Sequence, residues 1–142
     1  MREWLAVAPM PTVNIVVMKG AYVLLLKRKN PPEKDKWFTP GGILTKGKEA
    51  MFQALEILYD ETRIEAQNLT LLLVDDEFYS EGYGTRDVHL VTVVYKHEAE
   101  STDVTTNDEH HEYGWLPVTA LPQKLHPNVR KWILEAIRRE TG

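Results

Sequence analysis

The amino-acid sequence predicts an α/β layered sandwich in which strands come first, a helix intervenes, more strands follow and a helix closes the chain. Three observations support this prediction: β-branched segments in both halves, a helical apolar stripe in the middle, and a second such stripe near the C-terminal end. The 142 residues are 43% hydrophobic and 27% charged, which is typical of one globular domain spanning residues 1–142.

The first half begins with a predicted β-hairpin. Residues 12–18 are rich in β-branched side chains, Lys19 and Gly20 are a turn signal, and residues 21–27 form the returning strand. Two breaks in regular structure follow, an Asn-Pro-Pro run and the segment Thr-Pro-Gly-Gly at residues 39–42. Proline breaks a strand because it has no backbone N–H to donate.

Helical periodicity begins at residue 48 and ends at about residue 63. The apolar side chains of this segment recur at spacings of three and four, namely Met51, Ala54, Leu55 and Leu58. Further strands are predicted at residues 69–74, 88–95 and 113–116. The last helix is predicted from about residue 128 to residue 140, with Asn128 as its N-cap. Its predicted buried side chains are Val129, Trp132, Ile133 and Ala136.

Composition excludes several classes of protein. The net charge is −4, which argues against a protein held on nucleic acid by phosphate contacts. The chain has no cysteine, so it has no disulfides, no thiolate nucleophile and no sulfur-based zinc site. Its apolar runs are too short to span a bilayer. We therefore expect a cytoplasmic protein without a nucleic-acid or membrane partner.

The segment from the double glycine to the end of the first predicted helix is the most informative about chemistry. Gly41 and Gly42 allow the backbone to turn sharply and to approach a ligand. Asp60 and Glu61, near the end of the helix, could hold a hard cation such as Mg²⁺. Taken alone, however, the same residues could be an ordinary turn and a solvated helix face.

Residues 42–64 resemble the Nudix box, whose pattern is G-x5-E-x7-R-E-U-x-E-E-x-G-U, with U a bulky aliphatic residue. The matching positions are Gly42, Leu58, Glu61 and Ile64, with Asp60 as a conservative replacement of glutamate. The departures are Lys48, Glu56, Ile57 and Arg63, which stand where the pattern has Glu, Arg, Glu and Gly. Glu56 is interpreted as a surface residue paired with a nearby lysine.

The resemblance spans residues 12–140, since the segments at residues 24–28, 37–42 and 115–117 are also similar to the Nudix family. It implies an α/β/α sandwich with a mixed central sheet, Mg²⁺-dependent hydrolysis of a nucleoside diphosphate derivative, Mn²⁺ as a substitute cation, and a homodimer. Because Ile57 removes a ligand one turn before Glu61, the resemblance implies a single Mg²⁺ held by Glu61, the Gly41 carbonyl and a further group, with Asp60 contributing directly or through water.

Residues 107–116 resemble the corresponding segment of the GDP-mannose mannosyl hydrolases, a Nudix branch that also has a degenerate box. This resemblance implies that Glu109 binds the Mg²⁺ and that His110, rather than His111, is the general base. Water would then attack the anomeric carbon of a GDP-mannose-like nucleotide sugar with inversion, and the nucleoside diphosphate would leave. Leu90 and Glu77 depart from the tyrosine and histidine of that branch.

Two arginines are candidates for contact with the diphosphate. Arg28, at the end of its strand, could add a guanidinium to the leaving oxygens, or it could simply end the strand with a solvated charge. Arg86 is a second phosphate candidate. Two other functions are open at this point: a conventional Nudix pyrophosphohydrolase that attacks phosphorus in a nucleoside triphosphate or diphosphate derivative, with Glu56 helping to rebuild the metal site, and a non-catalytic nucleotide-binding module.

Overall fold

The computed structural model describes residues 8–30, 33–79, 88–106 and 111–141. The elements in these residues follow the order β1 (Met10–Lys19), β2 (Tyr22–Arg28), β3 (Trp37–Phe38), β4 (Gly41–Ile43), α1 (Ala50–Thr62), β5 (Thr70–Tyr79), β6 (Val88–Glu98), β7 (His111–Pro117) and α2 (Pro127–Thr141). Neither helix is long and apolar enough to cross a membrane, and the same holds for every helix of the described part of the chain.

The strands form one seven-stranded mixed sheet. The main path is β3-β2-β1-β6-β5, while β4 pairs with β1 and β7 pairs with β2. Strands β1 and β6 are parallel, and the other pairs are antiparallel. Helices cover both faces of this sheet, as the two core clusters show. The predicted α/β/α sandwich with a mixed central sheet is therefore confirmed.

Strands β1 and β2 pair only beside their turn, through Met18–Val23 and Lys19–Tyr22. Farther from the turn the two strands separate, and the short strands fill the gap: β4 pairs with β1, and β3 pairs with β2. This separation opens the sheet at the end where Gly41 and Gly42 pair with β1.

Side-chain alternation along β1 supplies two cores, one on each face of the sheet. Val13, Ile15 and Val17 pack with α1, whereas Val16 and Met18 pack with α2. The apolar stripes predicted for the helices are confirmed. In α1, Ala54 and Leu58 are fully buried, and the predicted apolar face of α2 is at most 1% exposed.

The prediction that the double glycine breaks regular structure is wrong, because Gly41–Ile43 pairs with residues 12–14 as strand β4. It needs no unusual φ either, since the glycines with positive φ in the described residues are Gly20 and Gly47. Glycine is required at position 41 by close approach to β1. A Cβ there would lie 2.6 Å from the carbonyl oxygen of Val13.

The start of α2 also differs from the prediction. The helix begins at Pro127, and the Asn128 backbone N–H donates to Nδ1 of His126 at 3.3 Å, so His126 caps the helix. The Asn128 side chain instead donates to Asp75 Oδ2 at 2.9 Å. Asn128 therefore anchors α2 to β5 rather than capping its own helix.

Candidate active site

A pocket of about 530 Å³ lies where β1 and β2 separate. Its apolar wall includes Met10, Leu26, Phe38, Ile43 and Leu90. Its polar wall includes Thr12, Asn14, Arg28, Glu61, Glu77 and His111. A mostly apolar pocket with a few convergent polar groups is the usual form of a small-molecule site.

Glu61 and Gly41 are brought together in this pocket, as the sequence predicts for two residues of one metal site. Glu61 Oε1 accepts a hydrogen bond from the Gly41 N–H at 2.8 Å. Burial raises the pKa of Glu61 to about 7, against the opposing effect of that hydrogen bond. Asp60, by contrast, is exposed and does not line the pocket. Its predicted contribution to metal binding stays a prediction.

Arg28 and His111 place two nitrogen-bearing side chains in the same pocket. Arg28 is the last residue of β2, and His111 is the first residue of β7. They are register partners in the antiparallel pair, so their side chains leave the sheet on the same face. The predicted role of Arg28 in binding a diphosphate is untested, but the pocket does contain this residue.

Glu77, which stands where the GDP-mannose mannosyl hydrolase branch has a histidine, also lines the pocket. It is 4% exposed, and its Oε2 accepts a hydrogen bond from Thr92 Oγ1 at 2.6 Å. Thr92 is in turn hydrogen-bonded to Thr12. The strand was expected to end at residue 74, which placed Glu77 in a loop. The aromatic residues Phe78 and Tyr79, which favour strands, are the signal that could have extended β5 past residue 77.

The box departures at positions 48, 56 and 57 have local explanations. Ile57 packs against the core beneath α1, and its Cδ1 lies 3.1 Å from where a Cβ of residue 42 would be. Lys48 Nζ and Glu56 Oε1 form an ion pair at 2.8 Å, which confirms that Glu56 pairs with a nearby lysine. The family pattern has the acidic residue at position 48 and the basic residue at position 56, and this chain has the two charges in the reverse order.

Three predicted site residues lie outside the described residues: Arg86, Glu109 and His110. Their roles stay predictions. Within the described ranges, no three acidic or imidazole side chains gather into a metal-binding group.

The described residues fit the divalent cation that the resemblance implies. A carboxylate that loses hydration on burial is stabilised in its ionised form by a nearby positive charge, and Glu61 is such a group. Oxygen donors are also the ligands that Mg²⁺ and Mn²⁺ prefer. Glu61 would hold the ion, with the Gly41 carbonyl and Glu109 as the other expected ligands.

Solved structures of known proteins share this fold. The chain is similar to the MutT NUDIX hydrolase from Burkholderia pseudomallei, with 28% identity, a TM-score of 0.77, and coverage of 89% of this chain and 97% of that one. It is also similar to the NUDIX domain of Shewanella oneidensis NrtR, solved with ADP ribose, with 23% identity, a TM-score of 0.74, and coverage of 98% and 97%.

Among curated proteins, the chain is similar to the low-salt glycan biosynthesis protein Agl8 of Haloferax volcanii. The two are 24% identical over 137 residues, which are 92% of this chain and 86% of that protein. The NUDIX domain family matches residues 8–140, nearly the whole chain. This protein therefore belongs to the Nudix family and is a Nudix hydrolase, a class of enzyme that depends on a divalent metal ion.

Proposed function

We propose that this enzyme hydrolyses a nucleoside diphosphate sugar, with GDP-mannose as the first candidate, and releases nucleoside diphosphate and free sugar. The observation that carries the proposal is the packing of Ile57 against the core beneath α1. Because residue 57 is an isoleucine, Glu61 is the carboxylate that α1 contributes to the pocket. A site with one cation suits a reaction in which the diphosphate is the leaving group.

In the proposed reaction, water attacks the anomeric carbon, its proton passes to a general base, and the bond from that carbon to the diphosphate oxygen breaks. The electron pair leaves on the diphosphate. A bound Mg²⁺, or Mn²⁺ in its place, would supply positive charge to those oxygens. Arg28 would donate to the same oxygens, and His110 would take the proton. The similarity to a glycan biosynthesis protein supports a sugar-bearing substrate.

Attack at phosphorus is the second candidate. The structural similarity to a NUDIX domain solved with ADP ribose favours it, because that ligand contains a pyrophosphate linkage. A nucleoside monophosphate would then be a product.

The deciding experiment is ³¹P NMR of the protein with Mg²⁺ and nucleotide sugars in ¹⁸O-enriched water. Attack at carbon yields nucleoside diphosphate without ¹⁸O, whereas attack at phosphorus yields monophosphates that carry ¹⁸O. The second result would remove the glycosyl mechanism. The variants His110→Ala and His111→Ala then identify the base, since loss of a general base lowers turnover by roughly 100-fold or more.

A homodimer is also part of the proposal. Light scattering of the purified protein measures it, and a molecular mass near the monomer value of 16.4 kDa would contradict it.

A further inference from the structure

The backbone of Gly41 faces away from strand β1. In the antiparallel pair of β1 and β4, the Ile15 N–H donates to the Pro40 carbonyl at 3.0 Å. Hydrogen-bonded and non-hydrogen-bonded pairs alternate along such a ladder, so the next pair, Asn14 and Gly41, is of the non-hydrogen-bonded kind. The Gly41 N–H accordingly donates to Glu61 on the other side of β4, and the Gly41 carbonyl points to that side too.

The side chain of Asn14 occupies the space beside Gly41 where another residue would have its own side chain. Non-hydrogen-bonded partners are the closest pairs of an antiparallel ladder. A Cβ at position 41 would lie 2.6 Å from Asn14 Cγ. Thr39, which is 4% exposed, donates from Oγ1 to Asn14 Oδ1 at 2.9 Å. A buried hydroxyl therefore holds the Asn14 carboxamide against Gly41.

Ile57 lies against the next residue from the opposite face of β4. Successive residues of a strand face opposite sides of the sheet, so Gly42 faces helix α1. Ile57 Cδ1 lies 3.1 Å from where a Cβ at position 42 would be, and Ile57 packs with the core beneath α1. The peptide group that joins the two glycines, which contains the Gly41 carbonyl, thus has Asn14 on one face and Ile57 on the other.

This enclosure matters because glycine is conformationally permissive. A peptide group between two glycines can rotate at low steric cost, and such a rotation would turn the Gly41 carbonyl away from Glu61. Packing on both faces opposes the rotation. A cation such as Mg²⁺, which requires nearly ideal octahedral geometry, benefits from a carbonyl ligand whose direction is fixed before the ion binds.

We propose that Asn14, held by Thr39, and Ile57 are positioning residues that fix the peptide group between the two glycines, so that the Gly41 carbonyl and Glu61 face one divalent cation. The proposal rests on the cation site of the proposed function and not on the identity of the substrate. It gives the departure at position 57 a role. Where the Nudix box has a glutamate, this chain has an apolar side chain that supports a backbone ligand.

The first test is hydrogen exchange of the Gly41 amide, measured by NMR in the protein without divalent cation. Asn14→Ala and Ile57→Val should each speed this exchange by about 3- to 10-fold. Ile57→Val removes the Cδ1 methyl group that lies against Gly42. The matched control is Ile133→Val, which removes the same methyl group from the core on the other face of the sheet and should leave Gly41 exchange unchanged.

The second test is the dissociation constant of Mn²⁺, measured by electron paramagnetic resonance without substrate, so that turnover does not enter. Asn14→Ala, Ile57→Val and Thr39→Val should each weaken Mn²⁺ binding by about 10-fold, because residues that orient a metal ligand affect affinity to this extent. Thr39→Ser keeps the hydroxyl and should bind Mn²⁺ with wild-type affinity. The two replacements of Thr39 therefore separate the hydrogen bond from packing.

Faster Gly41 exchange together with weaker Mn²⁺ binding supports the proposal. It is overturned if Asn14→Ala and Ile57→Val fold normally by circular dichroism and keep either the wild-type exchange rate or the wild-type Mn²⁺ affinity. Failure of the wild-type protein to bind Mn²⁺ would overturn it together with the cation site. The ¹⁸O experiment is independent: attack at phosphorus would leave these positioning roles intact, and unchanged Mn²⁺ binding in the variants would leave attack at carbon intact.

Discussion

Arg63 ends helix α1 in the left-handed region, with φ 62° and ψ 15°. Its backbone N–H donates to the Tyr59 carbonyl at 2.8 Å, and its guanidinium lies 5.0 Å from the centre of the Tyr59 ring. The Nudix box has glycine at this position. Glycine adopts positive φ without the steric cost of a Cβ, so the geometry explains the family preference. The cation–π contact partly offsets that cost in this chain.

At the residue scale we predict that two replacements of Arg63 differ in their effect on stability. Arg63→Ala loses the contact with Tyr59 and keeps the strained backbone, so it should destabilise the protein by about 0.5 to 1 kcal/mol. Arg63→Gly also loses the contact but relieves the strain, and it should be more stable than Arg63→Ala by about 1 kcal/mol. Urea denaturation measures both. Equal stability of the two variants would contradict the strain argument.

At the scale of elements, Asp75 connects strand β5 to helix α2. Its carboxylate accepts hydrogen bonds from Lys131 Nζ at 2.7 Å, Asn128 Nδ2 at 2.9 Å and Trp132 Nε1 at 2.8 Å. Partial burial acts to raise the pKa of Asp75, but these hydrogen bonds outweigh it and hold the pKa below the usual value. Three donors from one helix therefore converge on one strand residue.

We predict that Asp75→Asn lowers the free energy of unfolding at pH 7 by about 1 to 3 kcal/mol, because the charged acceptor is lost. Since the folded-state pKa is below the unfolded value of about 3.9, the carboxylate stabilises the fold above that pH. Its contribution disappears as the pH falls through the folded-state pKa. Urea denaturation should show a difference between the two proteins that is constant well above pH 3.9 and shrinks as the pH falls below that value, and a difference that stayed constant on acidification through the folded-state pKa would disprove the linkage. The exposed Asp76→Asn is the control.

At the scale of the whole molecule, the pocket is lined by residues from both halves of the chain, including β1, β2, α1, β5 and β7. A ligand that binds there binds the folded state and not the separate segments. At a concentration of one hundred times its dissociation constant, such a ligand adds about 2.7 kcal/mol to the free energy of unfolding. For a domain of this size that corresponds to a rise in Tm of about 10 °C.

We predict that Mg²⁺ together with GDP raises the Tm, and that removal of the cation by chelation reverses the part that depends on magnesium. Glu61→Gln should lose this part of the shift while remaining folded. Glu49→Gln is the matched control, because Glu49 is exposed and its side chain makes no capping hydrogen bond. If Glu61→Gln kept the full magnesium-dependent shift in differential scanning fluorimetry, Glu61 would not be a ligand.

Much of the architecture could be predicted from the sequence because it depends on local periodicity. The apolar stripe around Ala54 and Leu58 predicted α1 and its buried face, and the spacing of Trp132, Ile133 and Ala136 did the same for α2. The double glycine and the box pattern likewise indicated Gly41 and Glu61, which the fold joins by a hydrogen bond. Each of these inferences uses a pattern repeated over adjacent turns or a motif within one segment.

Other features were decided by the tertiary structure. Thr12 and Thr92 are 80 residues apart in the sequence and meet because β1 and β6 are parallel neighbours. Glu77 becomes a buried pocket residue only when β5 continues beside β6. The sequence by itself determined the family, the layered α/β/α fold and Glu61, the carboxylate of α1 that lines the pocket. The strand pairing determined which polar groups share the pocket. Their burial and hydrogen bonds depend on partners that are distant in the chain, and local sequence patterns do not identify such partners.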